Sequence, residues 1–263
     1  MKTLHFDCAL LFKKYPQGEL IVNQRENYGS EPVCIDVHGV LTPEPLMGLL
    51  LTASALRDDN PFRHITLRVP YLPYSRADRR FQPGDPLPLR VLGGMFDEAF
   101  NSVISLDVHS DAASKAIRLD ARMPTKAVLC AIEAFQPDLL LTPDQGAARR
   151  WEGIKFSVPM LSASKTRDVN TGAITGTTIP EGIARDARIL VIDDICDGGA
   201  TFIALARALY DAGNYGHLGL YTTHGFYSKG IDAIKCYYDF VACTGSRLSD
   251  VLISPWPDME VRQ

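Results

Sequence analysis

The sequence has no CxxC pair, no long apolar run and no block of like charge, and each absence removes a class of function. Its six cysteines, Cys8, Cys34, Cys130, Cys196, Cys236 and Cys243, lie far apart and mostly in apolar segments. Neither a zinc site nor a disulfide framework is indicated, and buried or half-buried thiols are the plainer reading. No stretch approaches the length of a membrane-spanning helix, and the N-terminal MKTLHFDCALLFKK carries charges within its apolar run. A cytoplasmic location without a membrane partner is the expectation. With 27 basic against 31 acidic side chains and a net charge of −4, the chain offers no basic track for a nucleic-acid backbone. Any anion it binds must be captured locally.

What is present is ample apolar material: 46% of 263 residues, enough for one large domain or two ordinary ones. Short β-like runs at 32–37, 64–71, 102–108, 138–143, 187–193 and 217–223 alternate with helical patterns around 45–58, 87–100, 122–135 and 200–212. Such alternation predicts doubly wound parallel sheets, so the fold class is α/β. A completed βα series ends near Asp120 to Thr125 and a new one follows. Two α/β halves are expected, 1–122 and 123–263. Ligands of such sheets sit beyond the carboxyl ends of the strands, and four polar clusters fall there: PYSRADRR, DVHSD, TPDQGAARR and DDICDGGAT.

The last of these, within VIDDICDGGAT at 191–201, sets three carboxylates and two glycines directly before a helix. A glycine-containing turn into a helix exposes backbone N–H groups and the positive end of the helix dipole, a phosphate cradle. Carboxylates repel phosphate and must serve something else. Asp193 and Asp194 suit sugar hydroxyls, or Mg²⁺ held through water, while Asp197, Gly198, Gly199, Ala200 and Thr201 surround the phosphate. The whole loop suits a sugar phosphate. The competing reading is a solvated acidic loop whose glycines only make a turn.

VIDDICDGGAT resembles the phosphoribosyl pyrophosphate (PRPP) loop of type I phosphoribosyltransferases and of ribose-phosphate diphosphokinases, the PRPP synthetases. Further stretches favour the second group: YPQGE (15–19), RVPYLPYSRADRR (68–80), SLDVHSD (105–111), TPDQG (142–146), SKTR (164–167) and THGFYS (223–228) resemble that family's motifs in the same order along almost the whole chain. The resemblance implies two phosphoribosyltransferase-like halves, the first with the ATP-binding motifs and the second with the ribose-phosphate and catalytic loops. It implies transfer of the β,γ-diphosphate of ATP to the 1-hydroxyl of ribose 5-phosphate, giving PRPP and AMP with Mg²⁺. Such transfer depends on positioning and charge neutralisation more than on a covalent nucleophile.

Carried over residue by residue, the resemblance makes Lys165 and Arg167 the cations of a mobile loop, SASKTRDVNTGAITG, that closes over the phosphates. From spacing alone that segment reads as a solvated basic loop. His109 and Asp144 become Mg²⁺–ATP contacts, with Asp144 the chemically safer metal ligand. Arg76 grips ATP phosphates bidentately, Asp78 acts there through hydrogen bonds, and Tyr15 with Glu19 contacts adenine and ribose, in the family from a neighbouring subunit. The residue-level alternatives are a surface ion pair for Arg76 and Asp78 and core packing for Tyr15. The resemblance also implies a homo-oligomer built from dimers, often a hexamer.

Departures bear on substrate and assembly. Gly198 stands where the family commonly has Ser or Thr, removing a hydroxyl and opening the phosphate pocket. Gln17 replaces an Asp, FQPGDP (81–86) replaces a more basic stretch, and the first strand and helix before YPQGE are expected to be missing. A wider pocket would admit a larger acceptor such as ADP-ribose, placing the enzyme in NAD salvage. A phosphoribosyltransferase and a non-catalytic PRPP-synthetase-like regulator are the remaining alternatives.

Overall fold

The structure is a computed structural model and describes residues 1–9, 12–22, 28–167, 174–214, 216–244 and 251–253. Two compact units divide the chain, Met1–Met123 and Pro124–Gln263.

In the first unit the elements run β1 (Lys2–Asp7), β2 (Lys13–Lys14), β3 (Leu20–Ile21), β4 (Val33–His38), α1 (Pro43–Asp59), β5 (Ile65–Arg68), α2 (Pro88–Ala99), β6 (Ser102–Leu106), α3 (Ala112–Ala116) and β7 (Leu119–Arg122). A parallel sheet of order β1-β4-β5-β6-β7 forms the frame, and β2 and β3 make a separate antiparallel hairpin. Pro43 and Pro88 open α1 and α2, where a missing N–H costs nothing. The buried residues of α2, Leu89, Leu92, Gly93 and Phe96, recur at helical spacing and pack with Leu49, Ala53 and Leu56 of α1 against Val33, Ile35, Val37, Ile65 and Leu67 of the sheet. Each buried Leu or Phe contributes about 1.5–3 kcal/mol, so this face holds the unit together.

The second unit contains α4 (Thr125–Phe135), β8 (Leu139–Thr142), α5 (Gln145–Arg150), β9 (Met160–Ser162), β10 (Ser164–Arg167), β11 (Ile174–Thr178), β12 (Ile189–Cys196), α6 (Ala200–Asp211), β13 (Leu218–Gly225), α7 (Asp232–Lys235), β14 (Phe240–Thr244) and β15 (Val251–Ile253). Its main sheet has the order β15-β14-β13-β12-β8-β9, all neighbours parallel. Phe202, Leu205, Ala206 and Leu209 of α6 share a core with Leu141, Ile189, Val191, Leu220 and Val241. The Tyr238 hydroxyl, inside that core, donates to the Phe202 carbonyl at 2.8 Å.

The α/β class and the parallel sheets match the expectation, and every anticipated strand and helix has a counterpart. Three readings change. The strand expected to be missing is present: β1 pairs in parallel with β4 from Lys2↔Val33 to Asp7↔His38. It is an edge strand of mixed pattern, KTLHFD, with only Phe6 buried, so it lacks the apolar run of an interior strand. The loop expected to close over phosphates is, where described, an antiparallel ribbon of β10 on β11, with Lys165 opposite Thr177; residues 168–173 lie outside the described residues. Asp193 and Asp194 stand within β12, which continues to Cys196.

Candidate functional site

In the second unit the site grows from the carboxyl ends of β12 and β13. The strands run in register to Cys196↔Gly225, and the amides of Phe226 and Tyr227 both donate to the Cys196 carbonyl, at 2.8 and 3.3 Å. The two loops that follow are then stitched together: the Ser228 hydroxyl donates to the Asp197 carboxylate at 2.6 Å and the Ser228 amide to the Asp197 carbonyl at 3.1 Å. Gly199 caps the 12-residue helix α6 with φ of +78°, and a Cβ there would run into Ile234. Glycine is therefore dictated at 199 by both backbone and space. Ala200 and Thr201 are exposed on the first turn of α6, beside its N–H groups.

Gly198 has a different role. A Cβ at 198 would lie 3.3 Å from the Cδ and Cε carbons of Lys229, so the Lys229 stem lies against this glycine. The room left by the absent side chain is bordered by the methylenes of Lys229, which end in a cation.

Asp194 is buried and pairs with Arg150 of α5, Nη1 to Oδ2 at 2.6 Å. Asp193 is half-buried, and one of its oxygens accepts the Asp194 amide at 2.9 Å. Burial, and then the Asp194 charge, push the Asp193 carboxyl well above the usual carboxylate range, with Arg150 opposing. Asp194 is thus compensated by Arg150, and Asp193 is the less buried carboxylate of the two, suited to accept from hydroxyl donors or to face a dication. Asp144 caps α5, accepting the Ala147 amide on Oδ1 at 3.0 Å. A carboxylate has about four lone-pair sites, so capping leaves acceptor capacity at Asp144. Lys165 and Arg167 have their backbone in β10.

In the first unit Arg76, Asp78 and His109 also follow parallel-strand ends, and Tyr15 and Glu19 do not. Tyr15 and Glu19 sit at the exposed tip of the β2–β3 hairpin, where the Tyr15 backbone N–H donates a hydrogen bond to the Glu19 carbonyl at 2.8 Å. Tyr15 is 55% exposed, which removes core packing as its role. Arg76 and Asp78 lie in the loop after β5, His109 in the loop after β6, and a hydrogen bond between Asp78 and Ser110 ties these loops together. The ion partner of Asp78 is the neighbouring Arg79, Nε to Oδ1 at 3.0 Å, whose hydrogen bond holds the Asp78 carboxyl below its usual range. Arg76 and His109 are exposed.

Arg150, Ser228 and Lys229 were not singled out by sequence reasoning as site residues. Arg150 ended the TPDQGAARR cluster, Ser228 ended THGFYS and Lys229 follows it, but only the folded structure shows what each touches.

Residues 6–99 match the family model described as the N-terminal domain of ribose phosphate pyrophosphokinase. Ribose-phosphate pyrophosphokinase 2 of Archaeoglobus fulgidus is 31% identical over 214 residues, 77% of this chain and 71% of that protein. The chain belongs to the ribose-phosphate pyrophosphokinase family. The ribose-phosphate pyrophosphokinases of Sulfurisphaera tokodaii and Pyrococcus furiosus are 27% and 26% identical, covering 76% and 89% of this chain and 71% and 84% of their own lengths. Phosphoribosylpyrophosphate synthetase from Mycobacterium smegmatis shares the fold with a TM-score of 0.75 at 21% identity, covering 91% of this chain and 80% of that one. Within the pyrophosphokinase family the ordered motifs from YPQGE to THGFYS have a common explanation.

Proposed function

We propose that this enzyme transfers the diphosphate of ATP to the 1-hydroxyl of ribose 5-phosphate, giving PRPP and AMP. The observation that carries the reading is the loop 193–201: an acidic strand end, a left-handed Gly199 and the open first turn of α6, in a chain whose relatives are ribose-phosphate pyrophosphokinases. In the reaction the ribose 1-oxygen bonds to the β-phosphorus, the bond from that phosphorus to the α,β-bridging oxygen breaks, AMP leaves, and the hydroxyl proton passes to water.

Asp193 and Asp194 receive the ribose hydroxyls. The N–H groups from Gly198 to Thr201 and the α6 dipole hold the 5-phosphate, with the Lys229 ammonium at hand. Magnesium fits the donor set, because Asp193 is a half-buried carboxylate whose ionisation is opposed by burial and by Asp194, a cost that a dication relieves. Asp144 would offer it a carboxylate oxygen and His109 would contact the ATP phosphates; when bound, the ion supplies neutralisation of phosphate charge. Lys165 and Arg167 add cationic neutralisation of the transferring group. Arg76 and Asp78 orient the ATP phosphates, and Tyr15 with Glu19 takes the nucleoside. Assembly into a dimer-based homo-oligomer and a cytoplasmic setting complete the proposal; no described helix is long and apolar enough to cross a membrane.

The test is AMP release from ATP and Mg²⁺ with ribose 5-phosphate, and separately with ADP-ribose, against Lys165→Ala. Loss of one charge-stabilising donor is expected to lower kcat by about 10²–10³. AMP formed with ribose 5-phosphate supports the reading. AMP formed only with ADP-ribose keeps the chemistry and changes the acceptor, which with Gly198 lined by Lys229 would have to be explained by the altered loops at Gln17 and 81–86. AMP at the Lys165→Ala level with both acceptors would overturn it.

A further inference from the structure

We infer that His5, Asp36 and His38 form a binding site for a divalent transition-metal ion, of the zinc, cobalt or nickel class, at the edge of the first sheet. The parallel pairing of β1 with β4 sets His5 opposite Asp36, and the two-residue period of a strand puts His38 on the same face as Asp36. One ligand atom from each of the three lies within 4.8 Å of the others. His5 Nδ1 and His38 Nε2 are 2.9 Å apart, with ring centroids 5.1 Å apart. Nitrogens sharing a tetrahedral ion at 2.0–2.1 Å stand about 3.3 Å apart, so a few tenths of an ångström of ring movement admits an ion. Both rings are exposed and can make that movement.

Asp36 supplies the second, independent observation. It is 6% exposed, its Oδ2 accepts from Arg68 Nη2 at 2.7 Å, and its Oδ1 is buried with no hydrogen-bond partner among the described residues. A buried carboxylate oxygen left without a donor is costly, and a cation between it and the two imidazoles removes that cost. Arg68 fixes the carboxylate's orientation as an outer-shell partner does at metal centres. Two imidazoles and one carboxylate make an incomplete shell, completed by water from the exposed side, and nitrogen donors select against magnesium and calcium. The site belongs to the first unit and the loop 193–201 to the second, and it does not depend on the reaction assigned above. Its effect is mechanical: β1 is an edge strand, and an ion shared by β1 and β4 pins it to the sheet.

The experiment is calorimetric titration of the metal-free full-length chain with CoCl₂ and with NiCl₂, in excess Mg²⁺ so that magnesium positions are filled. It is repeated on His5→Ala, His38→Ala and the double variant, which change only exposed side chains, and on Asp36→Asn. One equivalent is expected to bind, with Co²⁺ showing the d–d absorption of a nitrogen–oxygen shell and no thiolate charge-transfer band. Loss of a ligand is expected to weaken binding by more than the about 10–100-fold typical of an outer-shell change. The ion is expected to raise Tm in the parent and not in the double variant. No binding, displacement by Mg²⁺, or full binding retained in the double variant would each overturn the assignment and leave the histidines as a ring-to-ring hydrogen bond.

Discussion

At the scale of single residues the second site is set by charges and by space, and each makes a prediction. The Asp193 carboxyl is held above its usual range by burial and by Asp194. The folded chain therefore binds that proton more tightly than the unfolded chain, and stability falls as pH rises from about 4 through the raised value. Asp193→Asn removes the cost. It is expected to melt higher than the parent at pH 7, with the advantage shrinking toward pH 4, while activity is lost; each 1 kcal/mol relieved raises Tm by about 2–4 °C in a protein of this size. Melting curves across pH decide it, and a variant less stable than the parent at pH 7 would contradict the assignment. The neighbouring glycines part company in the same experiment. Gly199→Ala forces a side chain into the left-handed region and into Ile234, costing about 1–3 kcal/mol for the backbone alone. Gly198→Ala has no such backbone demand and meets only the flexible Lys229 stem, so its Tm is expected to stay within the range of ordinary surface changes, about 0.5 kcal/mol.

At the scale of elements, the Arg150–Asp194 pair joins α5 to β12, and so joins the turn carrying Asp144 to the strand carrying Asp193. Both side chains are largely buried. Arg150→Ala leaves a buried carboxylate uncompensated and is expected to destabilise by about 3–5 kcal/mol, measured by denaturant unfolding. A loss below 1 kcal/mol would mean that water reaches Asp194. The interior strands β4, β5, β6, β8, β12 and β13 were legible because strands covered on both faces read as apolar runs. The edges were not: β1 and β7 are half-exposed with few apolar residues, and β9 is three residues long. β14 is buried yet was missed, because only the four-residue helix α7 precedes it and the strand–helix alternation breaks there. At the site, Asp193, Asp194, Asp197 and the glycines were legible as one contiguous stretch. Lys229 over Gly198, and His5 beside His38, were not, since residues 31 and 33 apart in sequence meet only through parallel pairing.

At the scale of the whole molecule, each unit carries its own core and its own parallel sheet, five-stranded in Met1–Met123 and six-stranded in Pro124–Gln263. A unit with a complete core between helices and sheet meets the condition for folding alone. The loop proposed to take the ribose phosphate and its supports, Asp193, Asp194, Asp197, Ser228, Lys229 and Arg150, all belong to the second unit, whereas the residues proposed for the nucleotide, Tyr15, Glu19, Arg76, Asp78 and His109, belong to the first. A fragment of residues 124–263 is therefore expected to melt cooperatively and to gain Tm with ribose 5-phosphate, since a ligand of the folded state stabilises it by mass action. It is expected to release no AMP from ATP, because the groups assigned to the nucleotide are absent. Scanning calorimetry of the fragment with and without ribose 5-phosphate tests the first part and an AMP assay the second. A broad, non-cooperative transition would mean that the second core needs the first unit to form, and AMP release by the fragment would remove Arg76, Asp78 and His109 from the nucleotide site.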